Sequence, residues 1–156
     1  MKSRRVWARV DAGGVGVRRM RVGVTALRVL AYVWALPTTV VGLPFLALAL
    51  LTGGGVQLHT GVLEVYGGWV AWLLRHGTLV RGGASALTLG HVVLGRDRAA
   101  LERTRGHERS HVRQCERWGP AFIPAYLAVG AWLLLRGRDA YRDNPFEREA
   151  FEREQG

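Results

Sequence analysis

His107-Glu108-Arg109-Ser110-His111 places two imidazoles four residues apart, with a carboxylate beside the first. On a helix, positions i and i+4 share a face, so both rings can reach one ion. This is the H-E-x-x-H arrangement of a zinc hydrolase, with His107 and His111 as ligands of Zn2+ and Glu108 as the general base toward a metal-bound water. Two nitrogens leave the site incomplete, because a catalytic zinc ordinarily takes three protein ligands and keeps a fourth position for water. Cys115, the single cysteine, lies about 12 Å along a helix from His107 and cannot share its ion. Glu147, in Asn144-Pro145-Phe146-Glu147-Arg148-Glu149-Ala150, is the better third ligand, with Glu149 as the alternative. Three residues after an Asn cap, Glu147 also stands where a helix-capping glutamate would fall.

The elements that must position these groups follow from local signals. Asp97 stands near a helix start, residues 98–118 are helical in character, and Gly119-Pro120 ends that helix before an apolar one over 120–135. Asn144-Pro145 opens a short terminal helix over 145–154, since Asn caps well and Pro fits the first helical position. For Glu147 to reach His107, the apolar helix cannot cross a membrane, and at 16 residues it is short for a span. It is expected to pack against the active helix or dip into a membrane interface, with Trp132, Arg136 and Arg138 near the boundary.

Upstream, Val56-Gln57-Leu58, a turn at His59-Thr60-Gly61, and 62–66 predict a hairpin. Residues 69–74 predict a short helix or interfacial segment, and Gly82-Gly83 a loop before one further strand over 86–94. Residues 29–51 are 23 positions without a charge, about 34 Å as a helix, and predict one transmembrane helix that Pro37 and Pro44 would kink. Eight basic residues precede it against the single acid Asp11, while no Lys or Arg falls between Thr52 and Leu74, which puts the amino terminus in the cytoplasm. Ala47-Leu48-Ala49 resembles a cleavage site and Ser3-Arg4-Arg5 a twin-arginine start, but a retained anchor fits the long basic arm better. The expected organisation is a basic cytoplasmic arm over 1–28, a membrane helix over 29–51, and a metal-binding domain over 52–156. The fold class is α+β: a few short strands, then the active helix, the apolar helix and the terminal helix.

Composition agrees with a membrane-anchored chain. There are 22 basic and 12 acidic residues, yet 49% of the 156 residues are hydrophobic, a combination that suits a membrane protein better than a disordered basic tail. Nucleic acid is not an expected partner, because no zinc-finger spacing, aromatic RNA-binding signature or long basic run accompanies the charge. One cysteine rules out an intramolecular disulfide framework.

His107-Glu-Arg-Ser-His-Val-Arg-Gln114 together with Glu147-Arg-Glu-Ala150 resembles the two halves of gluzincin-type metallopeptidases, in which the glutamate of an E-x-x-A segment completes the zinc site. Residues 104–120 and 141–151 are also similar to a group of small bacterial proteins with a hydrophobic amino terminus. They resemble, too, the peptidase-like domain of extracellular contractile-injection-system proteins. The resemblance spans the last 70 or so residues and implies a zincin-like domain with His107, His111 and Glu147 as ligands and Glu108 as base. Arg109 departs from the uncharged residue usual at that position.

The expected function is peptide-bond hydrolysis by a zinc metallopeptidase in a bacterial cell membrane, single-pass, with the metal-site domain on the outer side and a peptide or protein as substrate. The 86–94 strand would offer an edge to an extended substrate. Tyr126, Tyr141 or His91 would supply an oxyanion donor, and Asp139 or Asp143 would orient a ligand histidine. The alternative is a membrane-anchored binding or scaffold protein with a structural or inactive metal site.

Overall fold

A computed structural model describes residues 26–78, 80 and 82–155. The chain divides into two units, 1–30 and 31–156, and the described residues of the first open a helix, Ala26–Trp34 (α1). The Ser3-Arg4-Arg5 motif and nearly all of the expected basic arm lie outside the described residues. The second unit has the α+β class expected: α2 Leu36–Leu51, β1 Gly55–His59, β2 Val62–Tyr66, α3 Gly68–His76, β3 Ala86–Leu89, β4 Val92–Gly95, α4 Arg98–Trp118, α5 Phe122–Leu135 and α6 Pro145–Gln155.

The uncharged segment 29–51 bends at Pro37, as expected, while α2 runs through Pro44 without a break. Pro37 has no amide hydrogen and its ring clashes with the carbonyl four residues back, so the helix breaks at Ala35, and α1 and α2 differ in direction by 68°. The Thr38 and Thr39 hydroxyls both donate to the Ala35 carbonyl, at 2.7 and 2.9 Å. By length and composition the bent pair is apolar enough for a broken membrane span or a re-entrant loop. The helical stretch Arg98–Leu135 is also long and apolar enough to cross a membrane, although a 3-10 turn over Gly119–Ala121 separates α4 from α5.

The four strands lie in the order β1-β2-β4-β3, antiparallel at both outer pairs and parallel between β2 and β4. Residues 86–94 therefore form a hairpin, not the one strand expected. Gly90, at φ 66°, turns the chain between Leu89 and Val92, and the apolar run continues through that turn, which hides it from a periodicity reading. Alternation along the strands sorts the side chains by face. Val65, Leu89, Val92 and Leu94 join Ala49 of α2 and Val70 and Leu74 of α3 in one core. On the other face, Val62 and Val93 pack against Leu101 and Val112 of α4. Gly42 lets α2 approach β4: a Cβ there would sit 2.6 Å from that of Val92.

The helices that frame the site begin and end as their signals direct. The Asp97 carboxylate caps α4 by accepting from Ala100 N at 2.7 Å, and the Asn144 side chain accepts from Phe146 N at 3.1 Å at the start of α6. Beyond α5 the chain returns alongside it, with Asn144 Nδ2 donating to the Tyr126 carbonyl. Phe146 then packs against Trp118, Phe122 and Tyr126, fixing α6 beside α4.

Candidate metal centre

An ion pair between a buried carboxylate and a half-buried guanidinium ties α4 to the sheet. Arg105 meets Glu64 of β2 through two bonds, Nε to Oε1 at 2.9 Å and Nη2 to Oε2 at 3.0 Å, while Gln57 Nε2 donates to the same Oε2 at 2.6 Å. Burial pushes the Glu64 carboxyl up, but the Arg105 and Gln57 hydrogen bonds and the Arg105 charge outweigh it and hold the group below its ordinary range. One turn on, Arg109 donates to the carbonyls of His59 and Thr60, tying the β1–β2 turn to α4. The charge that departs from the zincin pattern thus has a docking role.

With α4 so placed, His107, Glu108 and His111 are all buried, and α6 brings in Glu147, 3% exposed. His107 Nε2 lies 3.0 Å from Glu147 Oε2 and 3.0 Å from His111 Nε2, and His111 Nε2 lies 3.4 Å from Glu147 Oε1. These three buried side chains lie close enough to bind a metal ion. The contacts of His107 Nε2, 3.0 Å to both His111 Nε2 and Glu147 Oε2, are close to the edge of a tetrahedron, about 3.3 Å for metal–ligand bonds of about 2.0 Å, while His111 faces the other carboxylate oxygen, Oε1. One imidazole proton cannot serve both contacts of His107 Nε2, whereas a cation between the three satisfies all of them. Burial lowers the His111 imidazole, but Glu147's hydrogen bond and the charges of Glu108 and Glu147 outweigh it and raise the group. Glu147 shows the converse: burial raises it, and the two histidines pull it below its usual range. The environment stabilises positive charge between these ligands.

Surrounding groups orient the cluster. His111 Nδ1–H donates to Gln114 Oε1 at 2.8 Å, which turns Nε2 toward Glu147, where it carries a proton in the charged ring and would offer its lone pair to an ion in the neutral one. Tyr126 OH donates to Glu147 Oε1 at 2.6 Å. Thr88 of β3 donates to Glu108 Oε2 at 2.6 Å, and burial pushes that carboxyl above its ordinary value despite opposing effects of His111 and Thr88. His107 packs its ring against Phe151, and its buried Nδ1 has no hydrogen-bond partner among the described residues, with Glu154 Oε2 3.8 Å away.

Other candidates fall elsewhere. Glu149 faces Gln114, Arg117 and Arg153, outside the cluster. Asp139 accepts from the amides of Tyr141 and Arg142, and Asp143 pairs with Arg138, so the orienting partner of His111 is Gln114 and not an aspartate. His91, at the β3–β4 turn, is engaged by Glu116 and Thr39 and stacks on Tyr32. Tyr141 packs edge-on to Phe151, near enough for the Glu147 charge to help burial raise its hydroxyl. Cys115 is buried in the core with Ala35, Phe122 and Phe146. Gln114 and Thr88 escaped the sequence reading; Gln114, three residues past His111 on the same helical side, had a usable signal in its spacing.

The fold and site define an α+β protein with a buried His–His–Glu cluster on two packed helices. Comparison with known protein families, with curated proteins and with solved structures finds nothing that matches this chain.

Proposed function

We propose that the chain is a membrane-anchored zinc metallopeptidase. The observation that supports this best is the convergence of His107, His111 and Glu147 within 4.8 Å, with Glu108 buried on the same helix. Two imidazoles and a carboxylate suit zinc among the divalent ions. Bound zinc supplies Lewis acidity, polarising a peptide carbonyl and lowering the pKa of water.

The chain's own groups do the rest. Thr88 occupies Glu108 Oε2, so Oε1 takes the proton from water as its oxygen attacks the carbonyl carbon, and returns it to the amine as the C–N bond breaks. Strand β3, at the edge of the sheet and joined to Glu108 through Thr88, offers main-chain bonds to an extended peptide or protein substrate. The apolar 29–51 segment, bent by 68° at Ala35, anchors the chain in a bacterial cell membrane as a re-entrant pair and not as a single pass, because Tyr32, Thr39 and Gly42 along it all lie against the β3–β4 hairpin of the metal-site domain. Retention of zinc with loss of peptide cleavage in Glu108→Gln tests the role of that base.

A second reading, a binding or scaffold protein with a structural metal site, draws on the burial of all four groups, 3–7% exposed. In that case Glu108→Gln leaves function unchanged.

A further inference from the structure

Helix α5 has no charged residue in FIPAYLAVGAWLLL, yet only Phe122, Gly130 and Leu133 are buried. At about 100° per residue, Leu127, Ala131, Trp132, Leu134 and Leu135 fall on one arc of roughly 160°. Leu127, Trp132, Leu134 and Leu135 are 50–87% exposed. A helix bordering water carries polar groups on such an arc, so this face is built for an apolar medium. Its other side is committed to protein: Tyr126 bonds Glu147, and the return segment lies against Gly130 and the Tyr126 carbonyl. The 14 residues measure about 21 Å, too short to span a hydrocarbon core of about 30 Å.

At the C-terminal end, Arg136 sits over the Trp132 ring at 5.1 Å, and the exposed Arg138 and Arg142 follow. An indole at the end of an apolar face with guanidinium groups beyond it matches the boundary between acyl chains and anionic headgroups. Neighbouring α2 has the same character, with Leu36, Val40, Val41, Leu43, Leu50 and Leu51 exposed. It shares a core cluster with α5 through Phe45, Leu46 and Ile123.

We infer that α5 lies in the interface of an anionic lipid bilayer, its leucine and tryptophan face among the acyl chains and Arg136 and Arg142 at the headgroups. Because Tyr126 on the same helix touches Glu147, the metal cluster is held within about one helix diameter, 10–12 Å, of the lipid. This location deepens the proposed metallopeptidase reading and rests on it.

The full-length chain, reconstituted in vesicles of phosphatidylcholine and phosphatidylglycerol, carries a nitroxide at Leu134→Cys or, as reference, at the exposed Glu152→Cys. Buried Cys115 stays in place, and the unsubstituted chain controls for its labelling. Power-saturation measurements should find the Leu134→Cys probe more accessible to oxygen than to an aqueous nickel chelate, and the reverse at Glu152→Cys. Equal aqueous access at both sites overturns the inference, as does a Leu134→Cys probe shielded from both reagents, which would mean that protein covers the face. Zinc content of the same samples reports separately on the metal site.

Discussion

His111 and Gln114 are joined by a 2.8 Å hydrogen bond from ring Nδ1 to amide Oε1, and the amide nitrogen of Gln114 reaches across to Phe146 O and Glu149 Oε2 at 2.9 and 3.0 Å. One buried amide thus sets the tautomer of a ligand on α4 and holds the start of α6, which carries Glu147. Gln114→Ala is expected to weaken zinc affinity about tenfold, and more than removal of an exposed side chain would. Gln114→Glu keeps the acceptor for His111 but sets a carboxylate against Glu149 and a carbonyl, so it should lower thermal stability as well. Zinc competition with a chromophoric chelator and thermal unfolding separate the two effects.

Tyr126 acts on the carboxylate of the cluster. Its hydroxyl engages Glu147 Oε1, leaving Oε2 toward His107. Tyr126→Phe removes one hydrogen bond and little volume, so the expected outcome is a zinc affinity lower by about tenfold with unfolding nearly unchanged. An unaltered affinity in the same competition assay would show that Glu147 is held without it.

The helix carrying His107 and His111 depends on the Glu64–Arg105 pair. Glu64 has a side chain 4% exposed against 27% for Arg105, so Arg105→Ala leaves a buried carboxylate with Gln57 as its remaining donor, at a cost of about 2 kcal/mol by denaturant unfolding. The pair also gives a pH signature. Glu64 is lowered in the fold from an ordinary 4.5, so its contribution is full above that value and is lost as pH falls through the folded one. Native stability should therefore decline below pH 4.5 more steeply than that of Arg105→Ala.

Gly42→Ala sets two effects against each other. Alanine gains about 1 kcal/mol of helix propensity over glycine. The new methyl would meet Val92 Cβ at 2.6 Å, and overpacking of that kind costs about 1–3 kcal/mol. Net destabilisation is expected in a chemical melt, and an increase in stability would show that α2 can move away from β4.

What was legible in the chain was what neighbouring residues decide. Asp97 and Gly119 bracket α4, Asn144-Pro145 opens α6, and the four-residue spacing of His107 and His111 becomes a shared face once α4 forms. Glu147 was reachable because α5 and its return segment are short enough to bring α6 back beside α4. Features depending on distant partners were not legible. The parallel β2–β4 pairing, the Glu64–Arg105 clamp and the reach of Gln114 to Phe146 are contacts between residues 29 to 41 positions apart. Within 29–51, Pro37 signalled the bend found at Ala35, but its size, 68°, and the unbroken passage of α2 through Pro44 were not legible. The role of Arg109 rests on the carbonyls of His59 and Thr60, 49 to 50 positions away, which no local pattern on α4 announces.

The most direct test of the metal centre is zinc per chain, measured by elemental analysis of the detergent-purified native protein beside His111→Ala, Glu147→Ala and Glu108→Gln. One zinc for each native chain, retained in Glu108→Gln and lost in both ligand variants, is the expected result. A native protein that holds no zinc after reconstitution at neutral pH, or ligand variants that keep it, would contradict the site.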